Sequence, residues 1–180
     1  MSEKIKGLLP LSIVTGVLVF VWVMFASNVN LGIANFGWVT PAAFISWGFY
    51  FAAGAGKPGF SKSLGGSVIG SIFGFLLIAL APSVASMPSS SGLSLVAAVL
   101  AFFLVLGMAV GDLWYVPAGF GGFASIVFYW IVTGFGTVPS IWVWISVVVA
   151  LIIGCCAGYL HTTLAGMMAP KAAEETAMER

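Results

Sequence analysis

The chain has 180 residues, 61% hydrophobic and only 6% charged, with a formal net charge of +1. Soluble domains average about 25% charged residues and about 45–50% apolar ones, so this composition could not present a wetted surface, and a mean hydropathy of +1.16 agrees. A secreted disulfide scaffold, a nucleic-acid binder and a disordered tail are excluded; what remains is an integral membrane protein whose first partner is the lipid bilayer.

A helical span needs about 20 apolar residues. Stretches near 9–27, 38–54, 64–82, 93–111, 117–134 and 140–161 qualify. They predict an all-α membrane protein of six transmembrane helices, one domain over 1–180 with short loops and no room for a soluble domain. A β-barrel would need alternating strands, whereas Leu95 to Leu106 is continuously apolar. The first span follows Lys4 and Lys6, but its apolar run exceeds that of a signal peptide and Met24 stands where a cleavage site needs a small residue, so a retained span is expected. Residues 165–180 form a short polar tail.

The Lys and Arg residues are Lys4, Lys6, Lys57, Lys62, Lys171 and Arg180. With six spans and the N-terminus inside, all fall on the cytoplasmic side, as the positive-inside rule requires. Both termini are therefore expected in the cytoplasm.

An internal repeat runs through the pattern. Trp38-Val39-Thr40-Pro41-Ala42-Ala43-Phe44 returns 76 residues later as Trp114-Tyr115-Val116-Pro117-Ala118-Gly119-Phe120. Phe49-Tyr50 pairs with Phe128-Tyr129, Gly54-x-Gly56 with Gly134-x-Gly136, and Gly70-x-x-x-Gly74 with Gly154-x-x-x-Gly158, as if about one helical turn were added to the second copy. Each half, about 8–82 and 92–164, then holds three spans. Three is odd, so the second half is inverted, a layout found in many transporters. Pro41 and Pro117 are predicted to open spans two and five, with Thr40 capping the first.

Gly66, Gly70 and Gly74 form a row in span three, with Ser67 and Ser71 beside it. Small residues four apart let another helix approach, so these glycines, with Gly154 and Gly158, are read as helix-packing residues, the row lying in a subunit interface or between spans three and six of an expected homo-oligomer. Asp112 and His161 are candidates for an ion pair or a gate, since histidine titrates near neutrality; a helix cap for Asp112 is the plainer reading. The adjacent Cys155 and Cys156 read as packing residues. Asn28, Asn30 and Asn35 solvate the first outer loop. No metal set, cofactor motif or catalytic constellation is present in the sequence, and no enzyme activity is expected.

Leu11-Ser12-Ile13-Val14-Thr15-Gly16 opening span one, Phe51-Ala52-Ala53-Gly54 closing span two and Val116-Pro117-Ala118-Gly119-Phe120 opening span five resemble, in that order, a family of small bacterial inner-membrane proteins known as domain of unknown function number ten-ninety-seven. The resemblance spans about residues 8–165. It implies a six-span inner-membrane fold and no particular activity. The three-plus-three inverted layout also looks like aquaporin and formate-channel architecture, an analogy of fold.

Two functions are compared. One is a channel or facilitator for a small, mostly uncharged solute: urea, an amide, ammonia or a short acid. Its path would run between the halves past Thr40, Phe44, Ser46, Trp47, Phe120, Gly121, Gly122 and Ser125, with Phe44 and Phe120 as aromatic constrictions. The span centres carry no Asp, Glu, Lys, Arg or His, which suits passive conduction better than ion coupling. The alternative is a non-transporting scaffold or partner subunit that binds other helices through Gly-rich faces.

Overall fold

Apolar runs buried in lipid must satisfy their own backbone hydrogen bonds, and a helix does so within one segment. The computed structural model describes residues 3–28, 36–88, 91–132 and 140–168, and among them all regular structure is helical. The helices are α1 (Glu3–Asn28), α2 (Phe36–Ala52), α3 (Gly56–Leu80), α4 (Ser91–Leu106), α5 (Val116–Val132) and α6 (Ile141–Met168). Short 3-10 turns continue α3 over Ala81–Val84 and α4 over Gly107–Val110. Three helical stretches, Gly7–Asn28, Gly56–Val84 and Ile141–Met168, are long and apolar enough to cross a membrane, which makes this a membrane protein. The apolar helices α2, α4 and α5 are shorter, at 17, 16 and 17 residues.

On α3, small side chains make up most of the buried face. The inner face of α3 is Gly59, Ser63, Gly66, Ser67, Gly70, Ser71 and Gly74, followed by Leu77 and Ile78. Large residues such as Phe20, Phe102, Phe103 and Leu106 point outward. A soluble protein would reverse this; in lipid, helices associate through close packing and interhelical hydrogen bonds.

Two helix pairs dominate the packing, α3 with α5 and α2 with α6. Contacts advance together along each pair. On α3, Gly66 meets Tyr115, just before α5, and Gly70 and Gly74 meet Gly119 and Phe123 of α5; on α6, Gly154 and Gly158 meet Ala43 and then Trp47 with Tyr50 of α2. Both pairs are therefore parallel. On the flanks, α1 packs on α6 and α2, and α4 on α3 and to a lesser extent α5. The result is two three-helix bundles, α1–α2–α6 and α4–α5–α3.

The prolines differ from expectation. Pro117 lies in the first turn of α5, but Pro41 lies inside α2, five residues after its start at Phe36. Thr40 thus lies inside the helix and not at its N-cap position. A proline this near the N-terminus removes only one early hydrogen bond, and the Trp22 indole donates to the Thr40 carbonyl at 3.4 Å. Between α2 and α3 the chain reverses through Gly54, Ala55 and Gly56, at φ 97°, 55° and 59°. The Tyr50 hydroxyl accepts the Gly56 N–H at 2.9 Å and holds this turn. The side chain of Trp38, the loop residues Asn30 and Asn35, Gly134 and Gly136 and the tail beyond 168 lie outside the described residues.

Candidate functional site

Glycine sets the distance within each bundle. A Cβ on Gly70 would strike the Gly119 carbonyl oxygen, and one on Gly154 the Ala43 carbonyl oxygen. A Cβ on Gly74 would strike Phe123 and Ile126, and one on Gly158 Trp47 and Tyr50. Gly122 abuts the backbone of Ser67, while the Ser46 hydroxyl donates to the Leu151 carbonyl at 2.6 Å. In every pair of contacts the α5 residue stands 76 positions after its α2 counterpart, and the α6 residue 84 after its α3 counterpart. Exchanging the bundles therefore exchanges the contacts. The packing counterpart of Tyr50 is Ile126, not Tyr129, so the correspondence of Phe49-Tyr50 with Phe128-Tyr129 is replaced by one at constant offset through α2 and α5. The glycine row of α3 faces α5, not α6 or the exterior.

Hydroxyls line the seam between the bundles. The Ser63 hydroxyl of α3 donates to the Ser46 carbonyl of α2 at 2.8 Å and accepts from the Cys155 thiol of α6 at 3.4 Å. Ser71 accepts from the Trp144 indole of α6 at 3.1 Å and donates to the Val68 carbonyl at 2.7 Å. Between them Ser67 is fully buried, and its hydroxyl has no hydrogen-bond partner among the described residues.

A second polar cluster closes one end of the α1–α2–α6 bundle. His161 is 3% exposed. Trp47 Nε1 donates to its Nδ1 at 3.2 Å. Nδ1 is therefore an acceptor, which places the proton on Nε2. Nε2 lies 2.9 Å from the Leu11 carbonyl and 3.0 Å from the Thr15 hydroxyl, tying α6 to α1. The rings of Trp47 and Phe51 meet the imidazole edge to face. Tyr50 OH, one turn away, contacts Thr162 Oγ1 at 2.6 Å. Since Thr162 donates to the Tyr159 carbonyl, the phenol is the donor.

Of the residues assigned to a solute path, Ser46, Trp47, Gly121, Gly122 and Ser125 are buried and Thr40 is half-buried. Gly121 faces Ile45 and Phe49 of α2, and the Ser125 hydroxyl donates back to the Gly121 carbonyl at 2.8 Å. Phe44 and Phe120 are the exposed members of the set. They are 36% and 45% exposed. Phe44 stacks on Trp47, and Phe120 lines an apolar outer groove beside Phe102 of α4. The glycines occupy the space between the central helices, and these two rings lie outside it. Asp112 and His161 do not pair: Asp112 sits in the exposed turn before α5, while both ring nitrogens of His161 are engaged by α1 and α2. Thr15 and Tyr50 entered the sequence reading only as members of a family segment and of the repeat, and Ser63 and Thr162 not at all; the signal for Ser63 is its four-residue spacing with Ser67 and Ser71.

Compared with known protein families, the chain matches over residues 12–166 the model described as "Protein of unknown function (DUF1097)". Nothing matches among curated proteins or among solved structures.

Proposed function

The chain belongs to the DUF1097 family of proteins of unknown function, and on that premise we propose that it is a six-span inner-membrane facilitator, built as two inverted three-helix halves, that passes a small, mostly uncharged solute. The exchange of contacts between the bundles supports the repeat, and three helices per half imply inversion. Within each bundle the central helices touch backbone to backbone, which makes the bundle stiff. Between bundles, Ser63 bonds the Ser46 carbonyl and Cys155, Ser71 bonds Trp144, and Gly121 and Gly59 of one bundle pack against Ile45, Phe49 and Tyr50 of the other. Rocking of one stiff body against another is the motion expected of inverted-repeat transporters. The hydroxyl-lined seam carries this reading, and it moves the solute path from Phe44 and Phe120 to Ser46, Ser63, Ser67 and Ser71. Urea, acetamide, ammonia and acetic acid should be compared in vesicles reconstituted with the protein. Uptake of at least one faster than in protein-free vesicles is expected; equal rates for all four reject the facilitator.

A second reading, a non-transporting membrane subunit, draws on the closeness of the glycine contacts, which keeps the central pairs shut in this conformation. It predicts no uptake together with a stable oligomer in detergent. Cytoplasmic termini require that a cysteine placed at Ser86 be labelled from outside the cell while one at Lys57 is spared.

A further inference from the structure

Ser63, Ser67 and Ser71 stand four residues apart on α3, so their positions repeat about every 6 Å along the helix. The outer two are engaged, Ser63 with α2 and α6 and Ser71 with α6. Ser46, Ser125 and Ser146 also spend their hydroxyls on carbonyls. Ser67 alone among the buried serines of the described residues is fully buried and unpartnered. Buried polar groups are paired with protein or with ordered water, because leaving one unpaired in an apolar interior is costly. The orphan hydroxyl therefore points to an occupant.

Its position is central. The carbonyl of Ser67 abuts Gly122, and the carbonyl of Leu151 accepts from Ser46. Ser63 meets Cys155 and Ser71 meets Trp144, so α3 and α6 cross antiparallel, and Ser67 stands midway between those two contacts on α3. Spacing sets the size of the occupant: two hydrogen bonds of about 2.8–3.0 Å span the roughly 6 Å between neighbouring hydroxyls, so one heavy atom bridges them. Lys57 and Asp112 lie at a helix start and in a turn, and Lys62, next to Ser63 on α3, is not on the Ser63–Ser67–Ser71 stripe, so an ion at Ser67 would have no counter-charge on the stripe itself.

We propose that Ser67 anchors a central site for one water-sized, neutral molecule that both donates and accepts hydrogen bonds, water at rest and ammonia in transit, held between the α3 hydroxyls and α6. The transit half rests on the facilitator reading; occupancy by water does not.

The test uses the full chain, serine-labelled, in lipid bilayers, with solid-state NMR transfer of magnetisation from water. Ser67→Ala identifies the Ser67 signal. Ser125, whose hydroxyl is bonded to its own helix, is the dry reference. The Ser67 signal should build up several-fold faster than that of Ser125, and Ser67→Ala, which adds no bulk, should slow build-up at Ser63 and Ser71. A Ser67 signal as slow as that of Ser125 overturns the site. Vesicle uptake separates the two readings. Ammonia uptake with a dry Ser67 overturns the site and leaves the facilitator standing. A wet Ser67 in vesicles that pass no solute overturns the transit half and the facilitator while the water site stands. Urea entering as fast as ammonia overturns the size class.

Discussion

Gly158 of α6 rests against Trp47 and Tyr50 of α2, and Gly74 of α3 rests against Phe123 and Ile126 of α5. Around the first contact stand His161 and Thr162, with hydrogen bonds to Trp47 and Tyr50. At the corresponding positions of the second, 84 residues earlier, stand Leu77 and Ile78, both buried. The backbone geometry is shared and the chemistry is not. Close approach depends only on a missing Cβ, so it accepts an indole–imidazole pair as readily as a phenylalanine–leucine pair. Polar interactions can therefore be confined to one end of the bundle, here the end where α1 begins and α6 finishes, without disturbing the fold.

The shared geometry can be broken first. Gly70→Leu and Gly154→Leu each drive a side chain into a carbonyl of the facing helix and should each cost at least about 3 kcal/mol, the upper range for overpacking. Gly16→Leu, where a Cβ meets nothing within 4 Å, should leave stability nearly unchanged. Thermal unfolding in detergent measures all three, and a large loss at Gly70 with none at Gly154 would break the equivalence of the bundles.

The chemical difference comes next. Trp47→Phe, which copies Phe123, leaves the buried Nδ1 of His161 without its donor and should cost about 1–3 kcal/mol. Adding His161→Leu, which copies Leu77, removes the unpaired group and should recover part of that loss. If the double variant is no more stable than Trp47→Phe, the two ends are not interchangeable.

A smaller effect sharpens the comparison at the α2–α3 turn. Ala55 adopts φ 55° and ψ −169°, a region that favours glycine, and Ala55→Gly should stabilise by about 1 kcal/mol through relief of that strain. An unfolding midpoint that falls instead would contradict it. Smallest of all, Phe120→Ala should leave solute uptake unchanged, because the ring lies on the outer face; a gain in uptake would return the path to the aromatic rings.

All six helices fall close to the predicted spans, since continuous apolar runs in lipid have few alternatives to helix. The repeat spacing around Pro41 and Pro117 was also legible, as was the closeness implied by glycines four apart. The pairing of Phe49-Tyr50 with Phe128-Tyr129 misled because Phe and Tyr are common enough here to align by chance, whereas the contacts of Gly74 and Gly158 tie Tyr50 to Ile126.

By itself the sequence determined that this is a helical membrane protein, where its helices run, and that glycine rows would bring helices together. Those properties follow from local composition: apolar length selects a buried helix, and a missing Cβ permits close approach whatever the partner. Which helices meet was decided only in the tertiary structure. Apolar surfaces in lipid carry little information about partners, so Gly70 could have faced α6, a second protomer or, as it does, α5. The outward turn of Phe44 and Phe120, the engagement of His161 by Thr15 and Trp47, and the unpartnered hydroxyl of Ser67 all follow from that pairing, because each depends on residues distant in sequence that a one-dimensional pattern does not connect.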